Sequence, residues 1–130
     1  MTIKELLPVE ALGVFLKYEP EEMRFILGKP ISVVISGKIF FISEAGGILM
    51  NAENAVICSK DIINKIFKKA CDNSVYAYEE EIRHGFITID GGHRIGICGR
   101  GVIKDGTLMY IKDISALNIR ISHEIRGCAD

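Results

Sequence analysis

The chain has 130 residues and a formal net charge of −1, with 48% hydrophobic and 25% charged residues. This length favours one domain with one hydrophobic core. The near-neutral charge lacks the general attraction that nucleic acid or an anionic membrane would exert. The apolar stretches are far shorter than the ~18 residues of a membrane-spanning helix. We therefore expect neither a nucleic-acid partner nor a membrane span.

The cysteines predict free thiols. There are four of them, at positions 58, 71, 98 and 128, and no two form a CxxC pair. The N-terminal segment is too charged for a secretory signal, so a reducing compartment is expected. A zinc site is the alternative, but His84, His93 and His123 show no ligand spacing with these cysteines. We predict four reduced cysteines and no metal.

The first half of the chain predicts a helical segment followed by a β-meander. Apolar residues fall near helical spacing over 3–18, where Pro8 either interrupts the helix or opens its main part. Residues 22–43 predict three strands, because Gly28-Lys29-Pro30 and Ser36-Gly37 are turn signals between β-branched and aromatic runs. Residues 44–56 are predicted to be a loop.

The second half predicts two helices and then strands. Ser59 is a candidate N-cap for a helix over 59–72. The apolar stripe of this helix comprises Ile62, Ile63, Ile66, Phe67, Ala70 and Cys71. A helix over 75–84 would bury Val75, Tyr78 and Ile82 and end at Gly85. Strands are predicted over 86–89, 94–98, 108–111 and 117–121, with turns at 90–92 and 104–106. The pattern indicates an α+β fold with an antiparallel sheet and flanking helices.

The segment 91–101 contains five glycines, His93, Arg94 and Arg100. Backbone N–H groups beside glycines can line an anion, and arginine binds phosphate bidentately. The segment contains neither a GK[ST] sequence nor a GxGxxG fingerprint. A twisted hairpin whose glycines form bulges and turns explains the same composition. Arg120 has a similar pair of interpretations: an exposed strand residue beside Asn118, or an arginine that reaches a bound phosphate.

Other polar clusters favour ordinary structural roles. Three consecutive carboxylates, Glu79 to Glu81, cannot converge on one point of a helix, so they predict an exposed acidic edge. The lysines of the 59–72 helix predict a solvated face, with a partner-binding surface as the alternative. His84 and His123 are expected at the surface or at a partner contact. No catalytic residue is predicted.

Two segments resemble the amino-terminal region of the stage III sporulation protein AA family. They are Ser74 to Ile89, continuing into Gly91-Gly92-His93-Arg94, and Asp113 to Ile121, with a shorter match at Gly127-Cys128-Ala129-Asp130. The resemblance covers about residues 20–130. It implies that residues 1–130 are a single N-terminal domain, PAS-like as in the secretion ATPases, and that the Walker A and B motifs of a RecA-like core lie beyond Asp130.

What the resemblance implies about function follows from that arrangement. The domain would be a non-catalytic regulatory and assembly domain of a hexameric ATPase that energises the channel between mother cell and forespore. It would have no cofactor of its own, while the full-length protein would bind ATP and Mg²⁺. Its partners would be its own ATPase core, neighbouring subunits and other stage III channel proteins, in the mother-cell cytoplasm or at the membrane facing the forespore.

The same resemblance places Arg94, Arg100 and Arg120 among the residues that could contact nucleotide, because late strands of the corresponding domains carry such arginines. It does not distinguish among the three. The alternative function is a free-standing PAS-like module that senses a ligand or a nucleotide.

Overall fold

A computed structural model describes residues 2–71 and 79–122. Four helices and seven strands form the described part of the chain. The helices are α1 (Ile3–Leu6), α2 (Val9–Tyr18), α3 (Lys60–Ala70) and α4 (Glu79–Arg83). The strands are β1 (Glu22–Ile26), β2 (Ser32–Ile35), β3 (Lys38–Ile42), β4 (Ile48–Leu49), β5 (Phe86–Ile89), β6 (His93–Lys104) and β7 (Thr107–Arg120).

The seven strands form one antiparallel sheet in the order β4-β3-β2-β1-β7-β6-β5. Strands β1 to β4 are a meander of neighbours in sequence, and β5 to β7 are a second one. The two meanders meet where β1 pairs with β7, from Glu22 opposite Arg120 to Ile26 opposite Ala116. The predicted α+β class and antiparallel sheet are therefore confirmed.

The N-terminal half follows the sequence pattern closely. Pro8 lies immediately before α2, at the N-cap, and separates α2 from α1. The turn between β2 and β3 uses Ser36 and Gly37, both with positive φ of 50° and 77°. Such a two-residue turn twists in the same sense as its strands, which favours a tight hairpin. The predicted loop over 44–56 is partly wrong, because Ile48 and Leu49 pair with Ile42 and Phe41 as an edge strand.

Helix α3 forms as its capping residue and apolar stripe predict. The Ser59 hydroxyl oxygen accepts a hydrogen bond from the Ile62 N–H at 3.2 Å, which satisfies one of the first free donors of the helix. Ile63, Ile66, Ala70 and Cys71 are buried. Residues 75–78 of the next predicted helix, including Val75 and Tyr78, lie outside the described residues. Its described end is α4, which buries Ile82 and is followed by Gly85 with φ of 84°.

The end of the sheet differs from the sequence prediction in strand length. The predicted strands 108–111 and 117–121 belong to one continuous strand, β7, and 94–98 extends to Lys104 as β6. Two register shifts, between Cys98 and Arg100 and between Val102 and Ile103, interrupt the pairing of β6 with β7. Bulges accommodate extra residues without ending a strand, so the breaks in hydrophobic alternation mark bulges and not loops.

All large buried side chains of the strands lie on one face of the sheet. Pairing puts Met23, Val33, Ile119, Ile95 and Ile87 in register across five strands, and all are at most 1% exposed. The described helices supply the other side of this core through Leu6, Val14, Ile63, Ile66 and Ile82. The fold is a two-layer arrangement in which the described helices cover one face of the sheet.

Gly99, at the first register shift, should be sensitive to a side chain. A Cβ there would lie 2.6 Å from Ile111 Cγ2 and 2.9 Å from the Lys112 carbonyl oxygen. We expect Gly99→Ala to lower the free energy of unfolding by about 1–3 kcal/mol in urea titrations, because overpacking displaces backbone. Gly96→Ala in the same strand is the control, since its nearest neighbour would be 3.7 Å away. Equal effects of the two substitutions would contradict this account of the bulge.

Candidate functional site on the open face of the sheet

The face of the sheet opposite the core carries the candidate functional residues. Alternation along each strand sends Glu22, Arg24, Asn118, Arg120 and Arg94 away from the buried residues beside them. Within the described ranges 2–71 and 79–122, no helix contributes a core residue to this side. We call it the open face.

Three charged residues on neighbouring strands form a row at one end of the open face. Glu22 on β1 pairs with Arg120 on β7, and Arg120 pairs with Arg94 on β6. Directly opposite residues in an antiparallel pair have Cβ atoms about 4.5–5.5 Å apart, so the two arginine side chains emerge side by side. The structure thus brings together two of the three predicted nucleotide-contacting residues.

Register shifts create this pairing. Next to the Asp105-Gly106 turn, Lys104 pairs with Thr107. That register, continued without interruption, would place Leu117 opposite Arg94. The two shifts add three residues on the β7 side and bring Arg120 there instead. The prediction that the glycine-rich segment forms a twisted hairpin with bulges is confirmed. The bulges also bring Arg94 and Arg120 opposite each other.

Glu22 organises the neighbouring polar groups. Its carboxylate contacts the Arg24 guanidinium, lies 3.7 Å from Arg120 Nε, and accepts a hydrogen bond from Asn118 Nδ2 at 3.4 Å. The Glu22 side chain is 14% exposed, whereas that of Arg120 is 76% exposed. One partly buried carboxylate therefore contacts two arginines, and Arg120 extends from it into solvent.

Arg94 is held by an aromatic ring. Its guanidinium carbon lies 4.4 Å from the centroid of the Phe86 ring on β5. This is within the ~6 Å range of cation–π attraction, which orients the flat guanidinium over the ring face. Within the described residues, Arg94 and Arg120 place two guanidinium groups beside the single carboxylate of Glu22, and an excess of guanidinium groups can bind an anion.

Arg100 does not join this row. It lies six residues beyond Arg94 on β6, which is about 20 Å along an extended strand. Its pairing partner is Lys112, and its guanidinium lies 3.7 Å from an Asp113 carboxylate oxygen. Both side chains of that ion pair are more than half exposed. The structure therefore separates Arg100 from the other two candidates.

Two hydrogen bonds fix the path of the chain just after the arginine row, by which we mean Arg94 and Arg120. After Arg120, the Ile121 N–H donates to the Glu21 carbonyl at 2.9 Å. The Ser122 N–H then donates to Nδ1 of the buried His93 at 3.0 Å. An accepting Nδ1 places the proton of a neutral imidazole on Nε2. These two bonds fix the path of the chain beside the arginine row as far as Ser122.

The acidic cluster and the other histidines named in the sequence analysis have different surroundings. Glu81 accepts a hydrogen bond from the Thr88 N–H on edge strand β5 at 2.6 Å, so one carboxylate of the predicted acidic edge caps the sheet. His84 is exposed and lines a surface cleft of about 490 Å³ with Cys98 and Ser115. His123 lies outside the described residues. Within 2–71 and 79–122, no group of three or more His, Cys, Asp or Glu residues is arranged to hold a metal.

Three of the four cysteines are free thiols, and Cys128 lies outside the described residues. Cys58 and Cys71 are buried in the core, and desolvation raises the pKa of each to about 11. Cys98 is exposed and lies on the open face, opposite Ala116.

Sequence reasoning missed two contributors to the site. Glu22 and Phe86 carry no local signal, because each acts on an arginine that is distant in sequence. Asn118 was placed correctly on the face of Arg120, but its buried Oδ1 atom has no hydrogen-bond partner among the described residues, which no pattern predicts. Alternation in β1 could have indicated that Glu22 and Arg24 share a face.

The fold and the open face define a two-layer α+β domain that presents arginines from the last strands of a sheet. Comparison with known proteins gives its family. The model of the family described as Sporulation stage III, protein AA matches residues 3–130. The chain belongs to this family.

One relative is the stage III sporulation protein AA of Bacillus subtilis (strain 168). It is 33% identical over 112 residues, which cover 86% of this chain and 33% of the relative. The chain thus spans about one third of the length of that relative. No solved structure matches the chain, so the predicted likeness to PAS domains and secretion ATPases stays a prediction. No helix in the described ranges is long and apolar enough to cross a membrane.

Removing the Glu22 charge should destabilise the domain. We expect Glu22→Gln to lower the free energy of unfolding by about 1–2 kcal/mol, because Arg24 and Arg120 would lose a partly buried counter-charge. Asp61→Asn is the control: its ion pair with Lys65 spans 3.1 Å but is at least 70% exposed on both sides. That variant should change stability by less than about 0.5 kcal/mol. Indistinguishable urea midpoints for the two variants would contradict the role assigned to Glu22.

The cysteines should differ in reactivity. At pH 8, a pKa near 11 in place of 9.0 leaves Cys58 and Cys71 with about 100-fold less thiolate than an unperturbed thiol. In a Cys128→Ser variant of this 130-residue chain, we expect one fast-reacting thiol, Cys98, in the folded state and three equivalent thiols in denaturant. Peptide mapping after brief alkylation identifies the sites. Labelling of Cys58 or Cys71 as fast as Cys98 would show that the core is not closed around them.

Proposed function

We propose that this domain is the non-catalytic N-terminal regulatory and assembly domain of a sporulation ATPase, which energises the channel between mother cell and forespore. Its task is to contribute Arg94 and Arg120 to a nucleotide held by the ATPase core of the full-length protein. ATP and Mg²⁺ belong to that core. The other partners are neighbouring subunits of a hexamer and further stage III channel proteins, in the mother-cell cytoplasm or at the membrane facing the forespore.

The observation that carries the proposal is the pairing of Arg94 with Arg120 on neighbouring strands, which places their two side chains next to each other on the open face. Family membership supports a sporulation role, and the length of the Bacillus subtilis relative supports a larger protein around this domain. The chain itself contains no GK[ST] segment to hold the phosphates of ATP. In this proposal, the part of the protein that binds the phosphates of ATP lies outside this chain.

Two adjacent guanidinium groups suit a triphosphate. Each can donate two parallel N–H bonds to phosphate oxygens, and together they offset charge that develops when the terminal phosphoryl group is transferred. An arginine supplied from outside the catalytic core can contribute about 10³-fold or more to turnover. The ring of Phe86 lies against the Arg94 guanidinium, and the carboxylate of Glu22 lies 3.7 Å from Arg120 Nε, so each arginine has one contact on the open face.

Arginine-to-lysine variants of the full-length protein test the proposal. Lysine keeps the charge but loses the bidentate fork. We expect Arg94→Lys or Arg120→Lys to reduce ATP turnover by about 10²-fold or more while thermal stability stays near that of the parent protein. Arg100→Lys is the matched control, since Arg100 lies about 20 Å away along the same strand and pairs with Asp113.

The outcomes separate a nucleotide-facing role from a structural one. If the arginines only brace the sheet, melting temperature falls and turnover per folded molecule stays near that of the parent. A stronger loss in Arg100→Lys than in the other two would assign the contact to Arg100. Unchanged turnover in all three would leave a docking domain without a nucleotide contact.

A further inference from the structure

The open face is chemically divided into two halves. One half, formed by β6 and β7, carries Arg94 and Arg120. The other half, on β1 to β3, exposes apolar side chains: Ile39 is 52% exposed and Ile26 is 43% exposed, and Val34 and Phe41 are half-buried beside them. Val34 pairs with Ile39, and Ser32 pairs with Phe41, so these side chains are neighbours on one surface.

This composition differs from that of a solvated sheet face. An antiparallel sheet with one face in water alternates apolar residues inward with polar residues outward. Here both sides of β2 and β3 are largely apolar, since Val33 and Ile42 fill the core while Val34, Ile39 and Phe41 face outward. A contiguous exposed apolar patch next to polar residues is typical of an interaction surface.

We propose that the open face is the docking surface for the part of the same polypeptide that follows this domain in the full-length protein. That part would present an apolar patch edged by carboxylates. The apolar patch would lie on Val34, Ile39 and Phe41. The carboxylates would lie beside Arg24, whose side chain contacts Glu22 and is still 39% exposed. The inference rests on the proposed function only in placing this domain within a longer protein.

Two observations favour this occupant over a second copy of the domain. The relative is about three times as long as the matched segment, so a large part of such a protein remains to cover the face. A second copy would bring arginines against arginines, because Arg24, Arg94 and Arg120 outnumber Glu22 among the charged residues of these three strands on the open face.

Thiol accessibility in the full-length, nucleotide-free protein tests the proposal. Ile39→Cys places a reporter on the apolar half, and native Cys98 reports from the other half of the same face. Lys68→Cys, on the solvent side of α3, is the matched exposed control. We expect both open-face thiols to react with a maleimide at least about 10-fold more slowly than the control, as burial of a thiol excludes reagent. Peptide mass spectrometry measures each rate.

The identity of the covering segment is read from the same variant. A short bifunctional reagent attached at position 39 in a mixture of isotopically heavy and light protein should join peptides of like label, in a region after residue 130. Cross-links between unlike labels would assign the face to a neighbouring molecule and overturn the proposal. Equal labelling rates at positions 39 and 68 would also overturn it, because the face would then be open.

A charge substitution provides an independent check. Ile39→Asp should restore fast labelling of Cys98 in the full-length protein, whereas Lys68→Asp should leave Cys98 slow. If the labelling of Cys98 stays slow in the Ile39→Asp variant, this result counts against coverage of the apolar half. These measurements need no ATP turnover. A covered face with unaffected Arg94→Lys and Arg120→Lys turnover would overturn the nucleotide contact and leave the docking surface.

Discussion

The pairing of β7 with β1 is the constraint on which the rest of the structure depends. β7 hydrogen-bonds to β6 on one side and to β1 on the other, so it joins a meander built from the first half of the chain to one built from the second. Its buried residues Leu117 and Ile119 contact both halves of the core layer. The same pairing sets Glu22 beside Arg120, so the seam that closes the core also assembles the polar row on the opposite face.

Local patterns predicted the elements whose causes are local. The Ser59 cap and the apolar stripe of α3 follow from neighbouring residues, and so do the positive-φ turns at Ser36-Gly37 and Asp105-Gly106, each of which closes a hairpin. The continuity of β7 and the edge strand at Ile48–Leu49 did not follow, because bulges and edge pairings depend on partners distant in sequence. The alternation of residues from Asn118 to Ile121 predicted which face of the sheet carries Arg120. It did not predict which strands lie next to that residue.

For the site, residue type was predictable and arrangement was not. The sequence suggests three arginines, and only the register of β6 against β7 selects two of them as neighbours. That register depends on Gly99, where the Cβ of any other residue would meet Ile111 and the Lys112 backbone. Gly99 is needed for packing. Because it also permits this register, it determines which charged side chains lie side by side. Family membership confirms the resemblance read from the sequence and leaves the roles of these arginines as proposals.

The seam between β1 and β7 also imposes an order of events on a nascent chain. Each β1 residue pairs with a β7 residue that lies between 90 and 98 positions later. At about 5–20 residues per second of synthesis, the outer edge of β1 waits roughly 5–20 s for its partner. Throughout that interval Met23 and Phe25 lack half of the layer that buries them. The sheet therefore closes only after β7 has been synthesised. Until then, the N-terminal meander has to be protected on the ribosome.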